Sequence, residues 1–143
     1  MRFWDASALI PLVVEEAVTE LCLDWLRQDA DVIVWGLTRL ELVSALERRA
    51  REGLLSPSQR IQALRRIDRL SAGANEVTDL LAVRSRAQQL LARHALRAAD
   101  AAQLAAAMLV ADPDPSSLCM VVLDRRLAEA AVREGLDVLT WPE

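Results

Sequence analysis

Apolar positions along the chain follow two rhythms. Phe3-Trp4, Val32-Ile33-Val34-Trp35 and residues 118–123 are short apolar runs rich in aromatic or β-branched side chains. Runs of that length, bounded by turn residues, predict buried strands. Residues 137–141 predict one more short strand. Elsewhere apolar residues recur three and four apart, which predicts helices over 7–14, 16–28, 38–51, 57 to about 70, 76–94, 98–110 and 125–134. Ser56 caps the fourth helix with Pro57 at its first position, and Gly53 and Gly135 end the helices before them. Pro11 is best tolerated in a first turn. The stretches 71–74 and 112–117 read as breaks. Strands separated by helices predict an α/β fold whose parallel sheet is covered on both faces. Neither repeat nor linker interrupts the chain, so one domain over 1–143 is expected.

Composition narrows the class. With 143 residues and a hydrophobic fraction of 53%, the chain can bury a sizeable core. The net charge of −4 does not mark a nucleic-acid binder as a whole, but all 17 basic residues are arginine. Arginine forks onto phosphate, so local clusters can still hold a polyanion. Cys22 and Cys119 sit among apolar neighbours, as reduced core residues do, and supply neither a disulfide framework nor a zinc site. Asp5 interrupts any leader, and the most apolar helix is too short to span a bilayer. A soluble cytoplasmic protein without membrane contact is expected.

Four carboxylates stand at element ends. Asp5 and Asp124 each close an apolar strand run and begin a helix. Glu41 lies one turn into the helix after the second strand, and Asp100 near the start of the alanine-rich helix. Each has an ordinary structural explanation. Asp124 makes a good N-cap. Thr38-Arg39-Leu40-Glu41 fits a capping box. Asp5 or Ser7 can cap the first helix, and the helix dipole favours Asp100. Parallel strands would nonetheless deliver Asp5, Glu41 and Asp124 to one rim of the sheet, where α/β ligands gather. Nothing local forces Asp100 to join them. Carboxylates brought together repel, and a hard divalent cation relieves that cost. Such a centre activates water and steadies displacement at phosphorus. The single histidine, His94, reads as a helix-end residue.

Taken in order, four stretches resemble the PIN-domain nucleases, specifically VapC-type toxins of bacterial toxin–antitoxin pairs. They are Trp4-Asp5-Ala6-Ser7-Ala8-Leu9; Leu37-Thr38-Arg39-Leu40-Glu41 with Ser44-Ala45-Leu46 and Arg51-Glu52-Gly53; residues 96–105 around Asp100; and Leu123-Asp124-Arg125-Arg126-Leu127 running to Gly135-Leu136. The resemblance implies a three-layer α/β/α fold with a short, mostly parallel sheet. It implies an endoribonuclease dependent on Mg²⁺ or Mn²⁺, with catalytic and metal-holding acids at Asp5, Glu41, Asp100 and Asp124. Ser7 matches a small hydroxyl residue that supports the first acid. A small cognate VapB-like antitoxin and a homodimer are implied as partners. Relatives often carry Ser or Thr shortly before the fourth acid, where this chain has Val122 and Leu123, so the support of Asp124 is left open. Arg97, Arg125 and Arg126 lie close to acids in sequence and are candidates for RNA phosphates, or else plain helix-end charges.

Rival classes lack their signatures. A phosphoacceptor receiver domain needs a lysine, and the chain has none. A haloacid-dehalogenase-like phosphatase needs Asp where Ser7 stands. Glycine-rich phosphate loops are absent. A non-catalytic PIN-like binding or scaffold module is the remaining alternative.

Overall fold

Alternation inside the apolar runs sets the layers. In a computed structural model, which describes residues 1–142, Phe3, Ile33, Trp35, Met120 and Val122 enter one core, while Trp4, Val32, Val34 and Val121 enter another. Successive strand residues point to opposite faces, so both faces of the sheet must be covered. The strands are β1 (Arg2–Trp4), β2 (Val32–Trp35), β3 (Asn75–Val77), β4 (Cys119–Val121) and β5 (Asp137–Leu139). All pair in parallel, in the order β3-β2-β1-β4-β5.

Helices α1 (Ala6–Val13), α2 (Thr19–Gln28), α3 (Thr38–Arg51) and α4 (Pro57–Gly73) cover the face that holds Trp4, through Leu9, Val13, Trp25, Leu42, Leu46 and Ile67. On the opposite face lie α5 (Leu80–Arg93), α6 (Ala98–Ala111) and α7 (Arg125–Arg133), through Leu90, Leu104 and Leu127. Each large apolar side chain buried this way contributes roughly 1.5–3 kcal/mol. Alanines 101, 105, 106 and 107 of α6 are fully buried, so small side chains let this helix lie close to its neighbours. Gly53 and Gly135 carry positive φ values of 75° and 93° where α3 and α7 end, a conformation glycine adopts without steric cost.

The α/β class, the parallel sheet and the three layers match the expectation. Four local expectations are corrected. The break expected over 71–74 is helical as far as Gly73, where α4 ends. The helix expected over 76–94 begins only at Leu80, capped by the Asp79 carboxylate on the amide of Ala82. The residues before it form β3 on the sheet edge, because the backbone of Asn75–Val77 pairs with β2 although two of its three side chains are polar. Pro11 lies in the second half of α1, and its carbonyl accepts the Thr19 hydroxyl at 2.7 Å. The capping box at Thr38 does not form. Leu37 is the cap residue of α3, Thr38 is already helical, and among the described residues no side chain caps that end. The Ser56 box forms as expected, with Gln59 closing it. Cys22 is buried and Cys119 half-buried, both as free thiols. Among the described residues no helix is long and apolar enough to cross a membrane.

Candidate functional site

From β1 the chain moves to β2 on one side, and from β4 to β5 on the other. Such a reversal opens a crevice at the carboxyl ends of the two central strands. Asp5 follows β1 directly, and its amide extends the ladder to the Val121 carbonyl at 3.0 Å. Asp124 follows β4 and caps α7, accepting the Leu127 amide at 2.8 Å. A cleft of about 960 Å³ opens at this point. Its walls include Ser7 from α1, Glu41 from α3, Asp100 from α6 and Asp124, with Arg48, Arg49, Arg97, Arg125 and Arg126 around them.

Asp5 itself lies behind the wall, only 4% exposed. Its Oδ2 accepts both the Ser7 amide at 3.0 Å and the Ser7 hydroxyl at 2.5 Å. The same Ser7 Oγ accepts the amides of Leu123 at 2.9 Å and Asp124 at 3.2 Å. The backbone of the segment bearing Asp124, which carries Val122 and Leu123 before that acid, is thus held by Ser7.

Glu41 is oriented from below. The Gln103 amide donates to its Oε1 at 3.2 Å and to the Thr38 hydroxyl at 3.0 Å. Gln103 is fully buried and Thr38 nearly so. Neither was singled out for this role from the sequence. The available signal was a lone amide on an alanine-rich helix, since a buried amide needs partners.

The acids feel one another. Burial pushes the Asp5 carboxyl up to about 6, against the Ser7 hydrogen bonds, and the Asp100 charge adds to the rise. Burial and then the Asp5 charge push Glu41 up to about 7; Gln103 opposes this and Asp100 adds to it. Asp100 is raised by burial and by Asp124, with Arg97 opposing. Mutual repulsion thus links all four carboxylates. Among the described residues, no three acids, histidines or cysteines make a ready-formed metal cage. The donors are nonetheless all carboxylate oxygens. That set suits Mg²⁺, which takes one or two carboxylates and completes its shell with water and substrate phosphate. His94 stands apart as the cap of α5, its Nε2 2.7 Å from Glu134 Oε1.

The sequence model of the PIN domain family matches residues 2–133. Ribonuclease VapC45 of Mycobacterium tuberculosis (strain CDC 1551 / Oshkosh) is 34% identical over 137 residues, covering 95% of this chain and 92% of its own. Two crystal structures share the fold. PAE2754 from Pyrobaculum aerophilum superposes with a TM-score of 0.66 at 22% identity, over 96% of this chain and 87% of its own. FitAcB from Neisseria gonorrhoeae superposes with a TM-score of 0.68 at 18% identity, over 97% and 96%. The family match over nearly the whole chain, with the acids opening at the switch point of its sheet, leads to one conclusion: the chain belongs to the PIN domain family.

Proposed function

We propose that this protein is a metal-dependent endoribonuclease, the toxin of a type II toxin–antitoxin pair, which hydrolyses RNA phosphodiesters as a single PIN domain. The observation that carries the proposal is geometric: Glu41, Asp100 and Asp124 open onto one cleft, with Asp5 buried directly behind its wall and tied to it through Ser7, although the four acids come from separate stretches of chain. Similarity to a ribonuclease of the VapC type supports it. On this reading Asp5, Glu41 and Asp100 hold Mg²⁺ or Mn²⁺, directly or through water, and Asp124 completes the set. The ion, when bound, supplies an activated water and neutralises charge developing at phosphorus.

The remaining work belongs to the protein's own groups. Ser7 fixes Asp5 and the Asp124 backbone relative to each other. Gln103 fixes Glu41. Asp124 commits Oδ1 to the Leu127 amide, which leaves Oδ2 to accept a hydrogen bond from the attacking water. Arg97, Arg125 and Arg126, exposed on the cleft wall, engage RNA phosphates through charge-assisted hydrogen bonds. A small VapB-like antitoxin that covers the cleft, and a homodimer, complete the reading; the resemblance to VapC-type toxins supports both.

The test is incubation of antitoxin-free protein with total RNA, with and without Mg²⁺ or Mn²⁺, followed by mapping of the cut ends. Cleavage at defined sites that stops on chelation, and falls at least about 100-fold in Asp100→Asn, is expected. Saturable metal binding without cleavage of any RNA would favour the non-catalytic scaffold instead.

A further inference from the structure

Arg97, Arg125 and Arg126 lie on one wall of the cleft, at the starts of α6 and α7. The opposite wall is α3. Leu40, Glu41, Ser44, Ala45 and Arg48 recur there as a single helical stripe along the cleft. Arg48 stands seven positions after Glu41, so about 10 Å along the helix axis lies between them.

The neighbouring Arg49 is occupied, since it pairs with Glu16 at 2.5 Å. Arg48 is exposed and makes no ion pair among the described residues. The cleft is also lined by four acids, Glu16, Glu41, Asp100 and Asp124. A polyanion cannot rest on that floor without cations beside it. If cations stood on one wall alone, a strand would lie against that wall and away from Glu41. A cation on the α3 wall draws it across the acids.

We propose that Arg48 is a phosphate-binding subsite, and that a single RNA strand crosses the cleft between Arg48 on α3 and Arg97 and Arg126 on the facing wall. The proposal rests on the ribonuclease reading and adds the path of its substrate. A single strand can lower one phosphate toward the acids while its flanking phosphates stay on the rim. Arg48 lies in the last turn of α3. Arg51 shares that position but does not line the cleft, so it serves as the control.

The experiment measures binding of a labelled single-stranded RNA by fluorescence anisotropy across a salt titration, with Mg²⁺ present. All proteins carry Asp100→Asn to prevent cutting. Arg48→Gln is expected to weaken binding about three- to tenfold at moderate salt. It should also lower the slope of log K against log salt by about 0.7, the change that accompanies removal of one phosphate interaction from a single strand. Arg48→Lys should restore most of the slope, and Arg51→Gln should leave it unchanged. If the parent protein binds RNA and Arg48→Gln keeps its affinity and slope, or Arg51→Gln loses as much, the subsite is wrong while the ribonuclease reading stands. If the parent binds no RNA and the unmutated protein cuts none, that reading fails and the subsite with it.

Discussion

Ser7 does more at the site than its place beside Asp5 announces. Its hydroxyl donates to the acid and accepts two backbone amides of the segment that leads into Asp124. Ser7→Ala therefore strips partners from one carboxylate oxygen and two amides at once. A loss of about 1–3 kcal/mol in denaturant melts is expected, together with a drop of roughly 10–100-fold in RNA cleavage. Asp5→Asn should move stability the other way. Burial raises the Asp5 carboxyl from 3.8 to about 6, so its ionised form disfavours folding at neutral pH. At 1.36 kcal/mol per unit, the metal-free Asp5→Asn protein should be more stable at pH 8 by on the order of 2–3 kcal/mol, and inactive. An unchanged or lower melting temperature at that pH would contradict the assigned cost. The acids were legible in the sequence because a charge closing an apolar strand run is conspicuous. The second duty of Ser7 was not, because the amides it accepts lie 116 and 117 residues further along the chain.

Elements were legible where the periodic pattern was strong and failed where pairing overrode it. The buried strands β1, β2 and β4 announce themselves as apolar runs. β3 does not, since Asn75 and Glu76 are exposed edge residues and the strand exists through its hydrogen bonds to β2. The start of α3 misled for a related reason. Thr38 and Glu41 have the spacing of a capping box, yet both are engaged by Gln103, 65 and 62 residues away. Helix α7 shows how an element transmits position. Asp124 caps its start, and Glu134 at its other end binds Arg93 and His94, just before the segment that carries Arg97 and Asp100. Among the described residues His94 Nδ1 is buried without a partner, and Glu134 supplies the ring's polar contact. Glu134→Ala should cost about 1–3 kcal/mol of stability. Amide hydrogen exchange over residues 94–100 should then speed up, while that of α3 stays unchanged. Equal acceleration in both would mean general destabilisation and no clamp.

For the whole molecule, strand order is the decisive feature. The three-layer class could be read from alternating runs, but the order β3-β2-β1-β4-β5, which sets Asp5 beside Asp124, is a pairing choice that no local pattern encodes. The resemblance to PIN-domain nucleases supplied that convergence in advance, including Asp100, which local reading left unplaced. The fold carries an electrostatic cost for it. Asp5 rises from 3.8 to about 6 and Glu41 from 4.5 to about 7. Both therefore bind protons more tightly folded than unfolded, so their contribution to metal-free stability is full below about pH 4. It is lost as the pH rises through 6 and 7. A bound dication removes that cost and must release protons as it binds. The most direct test is calorimetric titration of Mn²⁺ into the metal-free protein at pH 6 and pH 8, with Asp100→Asn beside it. Saturable binding is expected, tighter at pH 8, accompanied by proton release near pH 6, and about tenfold or more weaker in Asp100→Asn. Identical isotherms for the two proteins, or no saturable heat in either, would contradict the claim that these carboxylates converge to hold a metal ion.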